Sequence, residues 1–191
     1  MGFAELFLIA VGLSMDAFAV AVCKGLAMKG KVNRVHALVI ALFFGGFQAV
    51  MPLIGWALGR QFEASITRVD HWVAFVLLAV IGAKMVWEAL REGDACPVDA
   101  PPRLDLKELT VLALATSIDA LAVGITFAFL KANIVLSVSL IGLTTFVFSL
   151  GGVFIGHSFG ARFKKKAEIF GGAILILIGL KILLEHLGLL G

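Results

Sequence analysis

Six runs of predominantly apolar residues dominate this 191-residue chain and leave little of it for anything else. A helix needs roughly 20 apolar residues to cross the hydrocarbon core of a bilayer. The stretches Phe3–Cys23, His36–Gly59, Trp72–Leu90, Leu106–Leu130, Ile134–Gly160 and Ala167–Leu187 meet that length. Hydrophobic residues make up 61% of the chain and charged ones 15%, with a mean hydropathy of +1.06. A globule of this size has too much surface to hide so many apolar side chains. The same composition excludes a disordered chain, and two cysteines, Cys23 and Cys96, are too few for a disulfide-rich secreted scaffold. A formal charge of +3 without a clustered basic face gives no reason to expect nucleic acid as a partner. The partner is the lipid bilayer, and the fold class is an all-α integral membrane protein with six transmembrane helices. The first run lacks a basic leader and a small-residue cleavage pattern, so it is expected to be a mature span rather than a signal peptide.

Lys and Arg mark the orientation. The first link holds Lys24, Lys29, Lys31 and Arg34, the third Arg91, Arg103 and Lys107, and the fifth Arg162, Lys164, Lys165 and Lys166. The second and fourth links together hold only Arg60, Arg68 and Lys131. The positive-inside rule therefore places the odd links in the cytoplasm and both termini outside, with Cys23 and Cys96 toward the cytoplasmic side.

The chain also repeats itself. Ser14-Met15-Asp16-Ala17-Phe18-Ala19-Val20 matches Ser117-Ile118-Asp119-Ala120-Leu121-Ala122-Val123, and Ile54-Gly55-Trp56-Ala57-Leu58-Gly59 matches Ile155-Gly156-His157-Ser158-Phe159-Gly160. Gly82-Ala83-Lys84 with Glu88 matches Gly179-Leu180-Lys181 with Glu185. The landmarks recur in order, one per helix, on either side of a polar, proline-rich linker. The expected organisation is a first three-helix repeat over 1–90, a cytoplasmic linker over 91–105 and a second three-helix repeat over 106–191. Three spans are an odd number, so the second repeat enters the membrane inverted. Secondary transporters recurrently use this architecture and hold substrate near the midplane, where the halves meet.

Asp16 and Asp119 lie near the middle of their spans at equivalent repeat positions. An uncompensated carboxylate there costs roughly 2.5–3.5 kcal/mol on insertion scales. The bland reading is a pair of protonated or hydrogen-bonded side chains that glue helices together. The functional reading is two carboxylates facing one another and sharing a cation, and intramembrane ionisable groups ordinarily mark such a path. Positions i−4, i+3 and i+4 share a helix face with residue i, and around the aspartates these are Gly12, Ala19 and Val20, and Ala115, Ala122 and Val123. Small neighbours leave room for an ion. Thr116 adds a hydroxyl on the face of Asp119. Ser14 and Ser117 lie about 200° around the helix from their aspartates, from the 100° that each residue turns. Either the helices unwind locally so that both hydroxyls ligate, or they bond to backbone carbonyls.

An oxygen-rich ligand set suits Mg, Ca or Mn better than Cu(I) or Zn, and two carboxylates balance one divalent charge. Gln48 offers a further amide oxygen, and Pro52, four residues on, frees the Gln48 backbone carbonyl. The candidate metal ligands are thus Asp16, Asp119, Gln48, Thr116, Ser14 and Ser117. Met15 and Met51 are read as packing. Lys84 with Glu88, and Lys181 with Glu185, stand at i,i+4. They serve either as salt bridges that lower the insertion cost or as a gate and resting counter-charge for the aspartates. Gly55-x-x-x-Gly59 and Gly152-x-x-x-Gly156-x-x-x-Gly160 mark tight helix seams, and Trp72 and Trp87 fit interfacial anchors. Enzyme signatures are missing: there is no nucleophile elbow, no His-Glu-x-x-His and no phosphate-binding glycine loop. Intramembrane aspartyl proteases also use two membrane aspartates, but their Tyr-Asp and Gly-x-Gly-Asp contexts do not occur, and the chain has no Tyr.

Gly12-Leu13-Ser14-Met15-Asp16-Ala17-Phe18-Ala19, Pro52-Leu53-Ile54-Gly55-Trp56, Ala115-Thr116-Ser117-Ile118-Asp119-Ala120 and Lys165-Lys166-Ala167-Glu168 resemble the bacterial manganese efflux pump (MntP) family. That family is similar in architecture to the lysine-exporter superfamily. The resemblance runs from the first helix to the last. It implies six helices in the bacterial inner membrane, export of Mn²⁺ as transported substrate with no resident cofactor, a part in metal homeostasis, and functional roles for Asp16 and Asp119. Relatives with a carboxylate at the position of Gln48 imply a different ligand set or proton coupling there. The alternatives are an exporter of another small cation or basic amino acid, and a non-transporting scaffold.

Overall fold

The computed structural model describes residues 2–28, 32–66, 70–92, 96 and 105–187. They form six helices: α1 (Phe3–Ala27), α2 (Arg34–Ile66), α3 (Asp70–Glu92), α4 (Leu106–Phe129), α5 (Ile134–Phe159) and α6 (Lys164–His186). A short 3-10 turn, Gly160–Phe163, joins the last two. All six are long and apolar enough to cross a membrane, and no strand occurs among the described residues. The chain is an all-α, multi-pass membrane protein.

α1, α2 and α3 cover their expected spans and run further, whereas α4, α5 and α6 each stop one residue short of theirs, α6 starting three residues earlier. α2 extends from Arg34 to Ile66, beyond the apolar stretch His36–Gly59, because Arg60, Gln61 and Glu63 are sound helix formers that hydropathy alone discounts. α1 continues past Cys23 because Lys24 is neutralised: its ammonium lies 2.6 Å from Glu108 of α4. Local chemistry sets several ends. Asp105 accepts hydrogen bonds from the backbone N–H groups of Lys107 and Glu108 at the start of α4, and Asn133 caps α5 by accepting from Leu136. Gly160, at φ 71°, takes the left-handed turn that ends α5. Most of the linker 91–105 lies outside the described residues, as do Lys29, Lys31, Arg68 and Arg103 of the orientation pattern. Cys96 is described. It forms a disulfide with Cys23 (Cα–Cα 5.6 Å), a cross-link that the exclusion of a disulfide-rich scaffold did not anticipate.

The helices pair in a pattern compatible with two exchangeable halves. α1 lies along α5 and α2 along α4, and each of these pairings turns into the other when the halves are swapped. α2 with α5, and α3 with α6, pair with their own counterparts. A bilayer offers no hydrophobic drive between helices, so close backbone approach has to hold them. Glycine supplies it. A Cβ at Gly156 would stand 1.9 Å from the Val22 carbonyl oxygen, and one at Gly55 would stand 2.0 Å from that of Leu121. A Cβ at Gly25 would meet the Val153 carbonyl oxygen at 2.0 Å, and one at Gly124 that of Pro52 at 2.1 Å. The proline in α2 therefore sits directly on the backbone of α4. Outward faces are apolar: Val80, Leu90, Val111, Leu143 and Leu177 are exposed and fit lipid contact, as do Trp72 and Trp87.

Gly156→Ala should destabilise the protein by about 1–3 kcal/mol or more, because the new methyl meets an immovable carbonyl. Gly151→Ala, whose Cβ would meet nothing within 4 Å, should leave the thermal midpoint in detergent unchanged. Equal midpoints for the two variants would overturn this account of the seam.

Candidate metal site

The apolar bundle holds a polar layer at the level of the two matching Ser-x-Asp-Ala blocks. Asp16 of α1 and Asp119 of α4 come close enough on the inner faces of the two helices for their carboxyl groups to interact. Lys84 of α3 reaches the same point. Its ammonium donates to both oxygens of Asp119, at 3.4 and 3.3 Å. Asp119 is buried, whereas the Lys84 side chain is 47% exposed.

A cavity of about 260 Å³ opens beside this trio. Asp16, Val20 and Cys23 line it from α1, Lys84 and Glu88 from α3, Leu112, Ala115 and Thr116 from α4, and Lys164 and Glu168 from α6. It runs from Asp16 toward the end of α1, the end of α3 and the start of α6, which are the helix ends that carry the odd links. Its wall is strongly charged for a membrane bundle. Among the described residues, no three His, Cys, Asp or Glu side chains gather closely enough to form a ready-made metal cage. A cation here would be held by two aspartates, with hydroxyl or carbonyl oxygens making up the set.

The remaining candidate ligands divide. Thr116 lines the cavity. Its hydroxyl donates back to Leu112 or Ala113 of its own helix, which leaves oxygen lone pairs available. Ser14 and Ser117 are set apart from the cavity. The helices do not unwind; Ser14 donates to the Ala10 carbonyl at 2.6 Å and also meets the Thr145 hydroxyl at 2.9 Å, while Ser117 donates to Leu114 at 3.0 Å. Of the two alternatives open in the sequence, the structure takes backbone bonding.

Gln48 is completely buried, behind the cavity wall. Its side-chain amide donates to the backbone carbonyls of Leu13 and Thr116, at 3.2 and 3.3 Å. These two carbonyls hold equivalent positions, three residues before each aspartate, and helical carbonyls point along the axis toward residue i+4. One amide of α2 thus fastens α1 and α4 together at the level of the acids. Its oxygen, Gln48 Oε1, has no hydrogen-bond partner among the described residues.

The ion pairs differ from the i,i+4 expectation. Lys181 does pair with Glu185 at 3.2 Å, but it also pairs with Glu5 of α1, and Lys84 is committed to Asp119. Glu88 of the cavity wall is the residue that the sequence offers with Lys84 as a salt bridge or gate; Lys164, Glu168 and Cys23 are not among the sequence's candidate ligands. In the sequence Lys164 reads only as a topology signal, yet it is buried and pairs with Glu168 at 3.9 Å. The cue to Glu168 in the sequence is its place in the Lys165-Lys166-Ala167-Glu168 block that carries the family resemblance.

A family model described as "Putative manganese efflux pump" matches residues 31–183. The chain belongs to that family. It is 60% identical to a "Putative manganese efflux pump MntP" of Desulfitobacterium hafniense, over all of this chain and 99% of the relative. It is 57% identical to one of Acetivibrio thermocellus, over 97% of this chain and 92% of the relative. A relative of the same description from Clostridium botulinum is 49% identical, over all of this chain and 98% of its own. No solved structure matches the chain.

Gln48→Met keeps the volume and removes the amide bridge between α1 and α4. It should destabilise the protein by about 1–2 kcal/mol, read as a lower thermal midpoint in detergent. An unchanged midpoint would mean that the bridge holds nothing.

Proposed function

We propose that this chain is a secondary transporter of the bacterial inner membrane, with both termini outside, that exports Mn²⁺ from the cytoplasm by alternating access around Asp16 and Asp119. The observation that supports this reading is the approach of two equivalent membrane aspartates, one of which, Asp16, lines a charged cavity together with the Lys84 that holds the other. The full-length similarity to relatives described as manganese efflux pumps supplies the metal and the direction. Oxygen ligands suit Mn²⁺, a hard divalent cation. Paired carboxylates neutralise it, which offsets the cost of stripping its hydration shell.

The cavity extends toward the side that the Lys and Arg pattern assigns to the cytoplasm. That arrangement fits a loading state. Mn²⁺ enters from the cytoplasm, displaces protons or the Lys84 ammonium from the carboxylates, and is bound with help from Thr116. Closure on that side and opening on the other release it outward. Reprotonation from outside then resets the acids, which makes the exchange an antiport of protons for Mn²⁺.

Asp16→Asn and Asp119→Asn should insert normally, yet each should lower Mn²⁺ flux into inverted membrane vesicles by more than the roughly 10–100-fold typical of outer-shell partners. Flux equal to wild type at equal expression would remove the aspartates from the mechanism. Protection of a deletion strain from arginine analogues, but not from manganese, would favour the basic amino acid instead. A fluorescent protein that folds only in the cytoplasm should stay dark when fused to the C-terminus. A bright fusion would reverse the orientation and turn the cavity outward.

A further inference from the structure

Equivalent residues of the two halves make inequivalent ion pairs. Along α1 and α4, Glu5 corresponds to Glu108 in the register that pairs Asp16 with Asp119, and Lys84 of α3 corresponds to Lys181 of α6. Lys84 holds the inner acid of the opposite half, Asp119, whereas Lys181 holds the outer acid of the opposite half, Glu5. Exchange of the halves would reverse both assignments and put Lys181 on Asp16 and Lys84 on Glu108. In this state Glu108 is held by Lys24.

We propose that Lys84 and Lys181 are tethered counter-cations that take turns: in each facing state one lysine occupies a site aspartate until metal displaces it, and the other closes the far end on a gate glutamate. The inference rests on Asp16 and Asp119 being the transport site. Charge favours it. With both acids ionised, Asp16, Asp119 and Lys84 together carry one negative charge, and a divalent ion added to the trio would leave one positive charge in low dielectric. Withdrawal of the ammonium brings the site to neutrality. Lys84 suits that role because it is half exposed on a long flexible stem, whereas Asp119 is buried. An acid as buried as Asp119 is costly to leave bare, so one cation must replace another.

Geometry favours it too. The Lys181–Glu5 pair stands at the end of the bundle opposite the cavity, where it ties α6 to α1. Glu108 stands at the cavity end, where a pair with Lys84 would tie α3 to α4. Glu108 and Asp119 are eleven residues, about 16 Å, apart along α4. Side-chain reach covers part of that distance, and displacement of α3 with α6 covers the rest. These two helices meet backbone to backbone, Gly82 on the Gly172 carbonyl and Gly172 on that of Gly82, so they carry both lysines as one unit.

Two measurements test the exchange. In nanodiscs, Lys84→Gln should bind Mn²⁺ about tenfold more tightly than wild type, by titration of the free Mn²⁺ paramagnetic signal, because the competitor is gone. Lys84→Arg, whose fork grips a carboxylate better, should bind it more weakly, and it serves if the glutamine variant does not fold. Unchanged affinity, or the reverse order, would overturn the proposal. In vesicles, the charge reversal Glu5→Lys with Lys181→Glu restores the outer pair but sets a carboxylate against Asp16 in the opposite state. It should be stable yet lose transport at least tenfold, and full transport would mean that the pair is only structural. Asp16→Asn run in parallel separates the two readings. If it binds Mn²⁺ normally, the transport site itself is misplaced; if it loses Mn²⁺ while Lys84→Gln does not tighten binding, only the lysine exchange fails.

Discussion

Two carboxyl groups facing each other inside an apolar bundle are the constraint that the rest of this structure answers. Two ionised carboxylates so close together would repel strongly, and lipid would solvate neither of them. Lys84 answers the repulsion from the side with an ammonium on Asp119. Small residues on the faces of both acids leave room around them, and the cavity beyond Asp16 connects the pair to one end of the bundle. Polar bonds add to the glycine seams around this point. Gln48 fastens α1 to α4 with a single amide, and the Ser14–Thr145 contact fastens α1 to α5.

The fold was legible because hydropathy and length suffice for spanning helices. Hydropathy located all six, and the Asp16 and Asp119 blocks were visible as repeats because sequence identity survives where chemistry is demanding. The site was only partly legible. A helix face can be computed from spacing, which placed Thr116 correctly beside the cavity and put Ser14 and Ser117 on the far side. What spacing cannot reveal is the partner on another helix. Lys84 has Glu88 one turn away in sequence, and only tertiary packing gives its ammonium to Asp119. Lys164 and Glu168 were hidden for the same reason: at a helix start they read as solvated charge, and helix packing buries Lys164 and half-buries Glu168.

Gln48 illustrates a second limit. Sequence singled it out for an oxygen that a cation could use, and the structure shows its nitrogen occupied first, on two carbonyls related by the repeat. A residue read as a ligand is also a brace. Both uses are chemically compatible, because the amide donates on one side and keeps its oxygen free for an acceptor role on the other.

The disulfide between Cys23 and Cys96 has a topological outcome. It joins positions 73 residues apart and so closes α2 and α3 into a covalent ring rooted on α1. A nick anywhere in that ring leaves the polypeptide in one piece. The unfolded chain also loses conformational freedom, a gain to the native state of about 4 kcal/mol in the chain-entropy picture. The clasp sits at the rim of the cavity, since Cys23 forms part of its wall. The middle of the polypeptide is thereby pinned to the doorway of the chamber.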